Sequence, residues 1–303
     1  MVNDGCCGRR SFAGGLRGPY GSRDVRRVTE WFPGLSLRKA CRLLKVSRSS
    51  MDERASGRKK HELDELLVKR VERVILRFPT FGYRRIWAWL RFREGVKVNQ
   101  KAVYRVVRLK GWFVHQRIST PRPRVKGSRS VAKASDQRWA MDVTHIPVGK
   151  DGWAHLAAVI DCSDREIVGY ELALRGRSQE AERALEDACL RRFGHVRQGG
   201  QRPLLRSDNG LIFQSRRFRK ACRDYGLRQE YITPYTPEQN GVIERFFRSL
   251  KEERVWLTNF RSFKEAQRAV EKWIRWYNEE RPHQALGYRS PTERRSEKLN
   301  AVA

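Results

Sequence analysis

Three carboxylates in this chain of 303 residues have the type and placement to act together. Asp142 sits among apolar residues in WAMDVT, Asp208 follows the apolar run PLLRS, and Glu244 lies on a predicted helix rich in Arg and Lys. Carboxylates repel one another when they are brought together, and such a cluster is tolerated mainly when divalent cations sit among them. Metal-assisted phosphoryl transfer is the chemistry that such a cluster supports.

Each acid also has an ordinary structural interpretation. Glu244 and Arg248 stand four positions apart on a predicted helix, where an ion pair is worth a few tenths of a kcal/mol. Asp208 precedes Asn209 and Gly210, and an Asp at this position is common in turns. Asp142 is harder to explain, because a charge among apolar neighbours is costly unless something compensates it. Considered one by one, the acids leave both interpretations open.

The elements around the acids predict a mixed sheet covered by helices. Three strand-like runs, RWAMDVTHIPV, WAHLAAVIDC and REIVGYELAL, are joined by short turns and indicate an antiparallel meander. Helices and short strands then alternate, and the predicted ranges are 179–192, 203–208, 215–225, 228–232, 238–256 and 262–279. This order predicts an α/β domain of ribonuclease-H-like arrangement over residues 137–285. Functional residues of such sheets collect at strand ends and helix starts.

The N-terminal half is predicted to be helical and strongly basic. Residues 1–134 hold 34 Lys and Arg against 10 acids, whereas the remainder holds 31 against 24. The predicted segments outside the α/β domain are a disordered leader (1–22), a helix-turn-helix-like segment (23–58), a basic bundle of three helices (59–114), a basic linker (115–136) and a C-terminal tail (286–303).

Two features of these helical segments carry an interpretation. In the segment 23–58, Ser47 is predicted to cap a second short helix, and such a pair suits insertion into a major groove. Short amphipathic helix pairs are also common, so both interpretations stand. In the bundle, Trp87, Trp89 and Tyr104 are expected to be core side chains rather than groups that stack on bases.

Composition limits the partners and the compartment. A net charge of +31 points to a polyanionic partner, of which nucleic acid is the commonest, and a membrane surface is the weaker option. No apolar run approaches the roughly 18 to 20 residues that span a bilayer, and the N-terminus lacks the apolar core of a secretory signal. The six cysteines show no CxxC spacing, so neither a zinc site nor a disulfide framework is expected. A cytoplasmic protein with reduced thiols is expected.

The motifs around the three acids resemble a known family, the DDE transposases of bacterial insertion sequences, which are relatives of retroviral integrases. In that family the third acid follows the second at the interval seen here, with 35 residues between Asp208 and Glu244. The resemblance covers about residues 60–290. Its other features are Trp139 before the first Asp, SDNG around the second, TPEQNG before the third, Lys251 seven residues after it, GYRRIWAWLR at Gly82–Arg91 and WYNEERPHQALGYRSP at Trp276–Pro291.

The resemblance implies an integrase catalytic core in which Asp142, Asp208 and Glu244 are the catalytic residues. It also implies that they bind two Mg²⁺ ions, for which Mn²⁺ can substitute, with Asp142 bridging both metals. The implied reaction is hydrolysis of a phosphodiester at an element end, followed by attack of the resulting 3′-hydroxyl on another phosphodiester.

The resemblance is to proteins of the second reading frame (OrfB type) in two-frame elements. In these elements the product of an upstream overlapping frame is often joined to the protein by frameshifting. The implied partners are double-stranded DNA, at the element ends and the target, and further copies of the chain, because two ends must be held together. The expected place of action is the bacterial cytoplasm, in association with the nucleoid.

Ten residues are predicted to contact DNA: Arg84, Arg85, Lys101, Arg105, Arg122, Arg124, Lys126, Asn240, Arg248 and Lys251. For Arg84 and Arg85 we expect DNA contact rather than internal ion pairs, because few acids lie nearby in the sequence.

Two other classes of protein explain part of the sequence. A non-catalytic, sequence-specific DNA-binding regulator would account for the charge and the N-terminal helices, but it leaves the spaced acids unexplained. A covalent tyrosine or serine recombinase would rest on Tyr288 beside Arg281 and His283, in a tail bounded by prolines. Such a recombinase would be recognised by a protein–DNA adduct.

Overall fold

The computed structural model describes residues 20–48, 51, 63–114, 132–195, 202–233 and 236–300. The chain divides into two compact units, Met1–Leu63 and Asp64–Ala303. Within the described ranges, no helix has the length and apolar character needed to cross a membrane. All three acids belong to the second unit.

The first unit contains a pair of short helices, α1 (Ser22–Trp31) and α2 (Leu37–Leu43). They bury Val25 of α1 and Ala40 of α2 in a small apolar cluster. The sequence analysis assigned no helix to α1, and of its apolar residues only Val25 is buried. Most of the helix predicted after Ser47 lies outside the described residues.

The second unit begins with the predicted basic bundle, whose three helices are confirmed as α3 (Glu65–Arg77), α4 (Tyr83–Ala88) and α5 (Gln100–Leu109). A π-helical turn, Trp89–Arg93, continues α4. The side chains of Asp64 and Asn99 cap α3 and α5 by accepting hydrogen bonds from main-chain amides of the first turn. The apolar side chains buried by the three helices are Leu67, Val71, Val74, Ile86, Val103, Val106 and Val107.

The three aromatic residues expected in the bundle core differ in their surroundings. Trp89 is buried as expected. Trp87 is half-buried and donates a hydrogen bond from its ring nitrogen to the carbonyl of Val98 at 2.9 Å. Tyr104 is 38% exposed and meets Tyr83 edge-on, with ring centroids 5.0 Å apart. The core assignment is therefore wrong for Tyr104.

A five-stranded sheet forms the centre of the second unit, and its strands are β1 (Arg138–Pro147), β2 (Trp153–Asp161), β3 (Ile167–Ala173), β4 (Leu204–Ser207) and β5 (Arg228–Tyr231). Their order across the sheet is β3-β2-β1-β4-β5. The first three form the predicted antiparallel meander, while β4 is parallel to β1 and β5 is parallel to β4. The predicted α/β fold with a mixed sheet is confirmed.

Helices cover both faces of this sheet, and those between β3 and the C-terminal segment are α6 (Ser178–Phe193), α7 (Leu211–Gln214), α8 (Arg216–Asp224), α9 (Gly241–Glu253) and α10 (Phe263–Glu279). Successive side chains of β1 point to opposite faces of the sheet, so they contribute to two separate apolar clusters. Ala140 packs in a cluster with side chains of α9 and α10, whereas Trp139 and Met141 pack in a second cluster with side chains of α6 and α8.

The predicted C-terminal tail contains a helix, α11 (Pro291–Asn300), that was not anticipated. It buries only its first residue, so it lacks the apolar stripe by which sequence patterns reveal helices. Polar contacts hold it instead. Arg295 donates to Asp136 at 3.0 Å, and the ammonium of Lys298 donates to the hydroxyl of Ser163 at 2.6 Å.

A buried carboxylate, Glu253 at the end of α9, fastens the bundle to the α/β domain. It accepts hydrogen bonds from Arg85 of α4 at 2.6 Å and from Arg281 at 2.6 and 2.9 Å, and its side chain is only 6% exposed. Burial acts to raise the pKa of Glu253, but Arg281 and Arg85 lower it overall. The expectation that Arg85 takes no part in an internal ion pair is wrong, because its partner lies 168 positions along the chain.

Aromatic side chains pack at the same junction. Phe78, which ends α3, stacks on Trp276 of α10 with ring centroids 5.4 Å apart, and Phe81 lies 6.2 Å from the same ring. Arg93 adds an ion pair to Glu293 of α11 at 2.6 Å. The bundle and the α/β domain therefore share both apolar and charged contacts within one unit.

We expect Glu253→Gln to destabilise the second unit. The change keeps the side-chain volume but removes the charge facing two arginines, and breaking a buried pair in this way costs about 3–5 kcal/mol. Glu252→Gln is the matched control, because Glu252 is a neighbour whose side chain is 36% exposed and paired with Arg248, so its loss should cost less than about 1 kcal/mol. Denaturant unfolding of both full-length variants measures the difference, and equal free energies of unfolding would contradict the role given to Glu253.

The same carboxylate should make stability depend on pH. Because the folded-state pKa of Glu253 is lowered below 4.5, its stabilisation is fully present above pH 4.5 and is lost as the pH falls through the lowered pKa. The free energy of unfolding of wild type should therefore approach that of Glu253→Gln in acid. Unfolding curves of the two proteins at neutral pH and below pH 4.5 test this, and a constant difference would refute it.

Candidate active site

Asp142, in the central strand β1, and Asp208, directly after the adjacent strand β4, lie side by side on the sheet. The last registered pair between the parallel strands β1 and β4 is Ala140 with Arg206. Each acid follows its member of that pair by two residues. Because side chains alternate along a strand, Asp142 shares the face of Ala140 and Asp208 continues the same row from β4. Ala140 belongs to the core shared with α9, so the two acids lie on the side of the sheet that α9 covers.

Glu244 lies in the first turn of α9. Its neighbours Ile243, Phe246 and Phe247 are buried in the same core as Ala140, which holds the helix on the sheet. Glu244 itself is exposed at the rim of that contact. A carboxylate near a helix N-terminus is favoured by the helix dipole. The third acid is thus carried by the helix that packs over the strands of the other two.

The charges of the three acids act on one another. Burial is the main reason that the pKa of Asp142 is raised to about 7; the hydrogen bond from the Val143 amide at 2.7 Å acts to lower it, and the carboxylates of Asp208 and Glu244 act to raise it. Lys251, two turns after Glu244 on α9, acts in the opposite direction. These mutual effects are strong only over short distances, so the fold brings the three carboxylates and Lys251 into one neighbourhood.

The ordinary interpretation of Glu244 as the partner of Arg248 does not hold. Arg248 donates to Glu252 at 2.7 Å. Burial raises the pKa of Glu244, and the nearby Glu238 raises it further. Burial and Glu238 both disfavour the charged form of Glu244, which is an unfavourable setting for a purely structural acid.

The carboxylate oxygens at this site are of the type that binds a hard cation, but they are not yet arranged around one point. Among the residues that the structure describes, no group of three or more His, Cys, Asp or Glu side chains is arranged to hold a metal ion. One oxygen of Asp142 accepts from the Val143 amide, and one oxygen of Asp208 accepts from the Gly210 amide at 2.9 Å. Three carboxylates, with the pKa of one raised by the other two, form an oxygen-only donor set that fits a divalent cation of the Mg²⁺ type.

Five of the predicted DNA contacts are accessible. Arg84 on α4 and Lys101 and Arg105 on α5 are exposed, and each lies on the outside of the bundle. Arg248 is exposed on α9, and Lys251 is half-buried beside the acids. Arg248 and Lys251 follow Glu244 by four and seven residues, so they lie on the same face of α9 as Glu244.

Two other predicted DNA contacts, Arg85 and Asn240, are half-buried and buried, respectively. Arg85 is half-buried and bonded to Glu253. Asn240 is buried at the start of α9, and its side-chain oxygen accepts no hydrogen bond within the described part of the chain. The remaining three, in the predicted linker, lie outside the described residues: Arg122, Arg124 and Lys126.

Sequence reasoning missed Arg206, two residues before Asp208. It is 6% exposed, and it donates to Glu230 of β5 at 2.8 Å and to the carbonyl of Gln239 at 3.0 Å. Gln239 lies in the 3₁₀ turn before α9. Arg206 therefore ties the strand that ends at Asp208 to the start of the helix that carries Glu244. The signal was a charged residue inside the apolar run PLLRS, since a buried charge requires partners.

The side chains that would serve a covalent recombinase have structural surroundings. Arg281 is bonded to Glu253. His283 is buried edge-on to Tyr277, with ring centroids 4.7 Å apart. Tyr288 is half-buried and meets Trp87 edge-on at 5.4 Å. This geometry gives no support to a tyrosine nucleophile.

Three domain families match the chain. Two of them, both described as Integrase core domain, match residues 132–237 and 225–291. The family described as HTH-like domain matches residues 62–118. The HTH-like match falls on the basic bundle rather than on residues 23–58, where the sequence analysis placed the helix-turn-helix, and the assignment of that earlier segment stays a prediction.

Two solved structures show a low level of similarity. The catalytic core domain of BIV integrase is 20% identical with a TM-score of 0.40, covering 55% of this chain and 98% of that one. The HTLV-2 integrase catalytic core domain in complex with magnesium is 18% identical with a TM-score of 0.41, covering 53% of this chain and 96% of that one. At these values the likeness says nothing about function.

Transposases of Escherichia coli are similar over most of the chain. Transposase InsD for insertion element IS2A/D/F/H/I/K is 30% identical over 274 residues, which cover 86% of this chain and 90% of the relative. Transposase InsD for insertion element IS2-9 of strain K12 has the same identity, with 88% of the relative covered. Nothing in these matches favours a non-catalytic regulator. The chain belongs to the insertion-element transposases with an integrase core domain, which are polynucleotidyl transferases of the DDE type.

Proposed function

We propose that this transposase hydrolyses a phosphodiester at each end of its element and then joins the new 3′-hydroxyl to a phosphodiester of target DNA. The observation that carries the proposal is that Asp142, Asp208 and Glu244 lie on one face of the sheet, where the charges of Asp208 and Glu244 act on Asp142. In each step one oxygen enters and another leaves a phosphorus atom in line, so the chemistry requires no covalent link to the protein.

The three carboxylates are proposed to hold two Mg²⁺ ions, for which Mn²⁺ can substitute. Such ions, when bound, activate the attacking oxygen and stabilise the leaving oxygen. The carboxylates of Asp208 and Glu244 both raise the pKa of Asp142. We therefore propose that Asp142 would contact both ions, and that Asp208 and Glu244 would each contact one of them. The oxygen-only donor set supports a hard cation over a soft one.

Basic residues near the acids are proposed to position the DNA. Arg248 and Lys251 follow Glu244 along one face of α9, and they would bind phosphates next to the scissile bond. The exposed cations of the bundle, Arg84, Lys101 and Arg105, would bind the duplex further away. The linker cations Arg122, Arg124 and Lys126 complete the proposed set, whereas Asn240 is buried and is left out.

The proposed assembly is a homo-multimer on DNA, because strand joining needs two element ends held together. The product of an upstream overlapping frame is a further proposed partner. The place of action follows from the substrate, which is the DNA of the bacterial nucleoid in the cytoplasm. The domain limits proposed from the sequence are a helix-turn-helix-like segment at 23–58, a DNA-binding bundle at 59–114 and a catalytic core at 137–285.

Replacing any one acid with its amide should abolish chemistry. Asp142→Asn, Asp208→Asn and Glu244→Gln each remove a charge from the metal site while nearly preserving volume, so both 3′-end cleavage and strand joining should be lost. Binding to duplex DNA should persist. Glu271→Gln is the matched control, because Glu271 is an exposed acid on α10 paired with Arg275 and should retain full activity. Cleavage of a labelled end duplex in Mg²⁺ and an electrophoretic binding assay measure the two properties.

The outcomes separate the possible roles of each acid. Near-wild-type turnover by one variant removes that residue from the site. If Glu244 served only stability, Glu244→Gln would cost a few tenths of a kcal/mol and leave cleavage intact. Cleavage that continues in a chelator would refute the metal mechanism as a whole.

The neighbours Arg84 and Arg85 should differ sharply when each is changed to Gln. Arg84→Gln should weaken duplex binding and leave the unfolding midpoint nearly unchanged, because Arg84 is exposed. Arg85→Gln removes one of the two partners of buried Glu253 and should lower the free energy of unfolding by about 1–3 kcal/mol. Thermal unfolding and a binding titration on both variants test this. Equal effects on stability would show that the ion pair to Glu253 does not hold the bundle in place.

A further inference from the structure

A second candidate site is a pocket of about 340 Å³ between the bundle and the α/β domain. Its walls come from the start of α4, the turn between β2 and β3, one face of α9 and the segment around 281–288. Exposed side chains, among them Arg84 and Gln284, stand at its rim, so it opens to solvent. The arginines that line it are Arg84, Arg85, Arg165, Arg245 and Arg281.

The positive charge of this arginine pocket is only partly compensated. Glu253, which does not line the pocket, forms ion pairs with Arg85 and Arg281. For Arg84, Arg165 and Arg245 no ion pair is formed with any residue in the described ranges. Like charges held together in this way repel one another, so the arrangement favours an anion as occupant.

The arginines act on the same buried groups, which shows that their charges converge. The pKa of His283 is lowered well below its usual value by burial, and then by Arg281 and Arg165. Burial raises the pKa of Tyr277 to about 12, against the influence of Arg281, Arg165 and Arg245. A histidine kept neutral by these neighbours adds hydrogen-bonding capacity without adding like charge.

The arginine pocket is connected to the acid site through α9. Val242, Arg245 and Ser249 recur at helical spacing on the face that lines the pocket. Glu244 and Arg248 form the adjacent row of the same helix. A polyanion lying along the acid row therefore passes beside the mouth of the pocket.

We propose that the arginine pocket holds a backbone phosphate of the duplex on which the acid site acts. This inference rests on the proposed function. The guanidinium fork matches the two free oxygens of a phosphodiester, and Arg165 and Arg245 supply such forks from the α/β domain. Arg84 supplies one from the bundle. A phosphate bound in this pocket would hold the duplex against both the bundle and the α/β domain. The pocket would thereby set the direction in which the duplex crosses the three acids.

The test compares Arg165→Gln, Arg245→Gln and the double variant, all in full-length protein carrying Asp142→Asn to prevent cleavage. Arg223→Gln is the matched control, because Arg223 is exposed on α8, which covers the opposite face of the sheet. Binding of a mixed-sequence duplex is measured over a range of salt concentrations. We expect the double variant to lower the slope of log affinity against log salt by about 0.9, the value for one phosphate, while the control leaves it unchanged.

Inorganic phosphate in place of the duplex distinguishes the source of the anion. If phosphate raises the unfolding midpoint of wild type but not of the double variant, while the duplex slope is the same in both, the pocket binds a free anion and the proposal is overturned. An unchanged slope without any effect of phosphate overturns it as well. If Arg165→Gln impairs folding, Arg245→Gln decides alone, because Arg245 is exposed and its loss of affinity should still exceed that of Arg223→Gln.

Failure of the proposed function has a different appearance. In that case the protein with Asp142 and its arginines intact does not cleave a labelled end duplex in Mg²⁺, although it binds the duplex. If the pocket plays no part in DNA binding, the pocket variants bind the duplex as strongly, and with the same salt dependence, as the protein with intact arginines.

Discussion

The parallel pairing of β1 with β4 is the interaction on which the active site depends. It aligns Ala140 with Arg206, and so places Asp142 level with Asp208, although 66 positions separate them in the chain. A shift of one residue in this register would turn one acid to the opposite face of the sheet. The alternating core of β1, with Ala140 on one face and Trp139 on the other, prevents such a shift because each side chain is buried in its own cluster.

Helix α9 converts this alignment into a site. Its buried face, including Ile243, packs against the strands that carry the acids, and this fixes Glu244 at their edge. Its last residue, Glu253, is bonded to Arg85 of the bundle. Helix α9 therefore links the sheet to the helices of the basic bundle. Arg206 reinforces the other end of α9 through the carbonyl just before it.

The distribution of charge explains how a strongly basic protein contains an acidic centre. Asp142 is desolvated and lies beside two further carboxylates, so its pKa rises to about 7, and a cation that joins the three acids relieves this cost. The surrounding cations are placed on the rows of α9 next to the acids rather than paired with them, as the bond of Arg248 to Glu252 shows. The acidic and the basic side chains are thus kept on neighbouring rows of one helix.

The sequence by itself determined most of the elements and singled out the three acids as candidates, because strand alternation, helical spacing and caps such as Asn99 act between near neighbours. The spacing of Asp208 and Glu244, together with their flanking motifs, indicated the family. Tertiary structure alone decided the partner of Arg85 and the exposure of Tyr104, and it alone showed that α11 is held by polar contacts. Each of these depends on groups far apart in the chain, whose meeting is set by packing and leaves no local pattern.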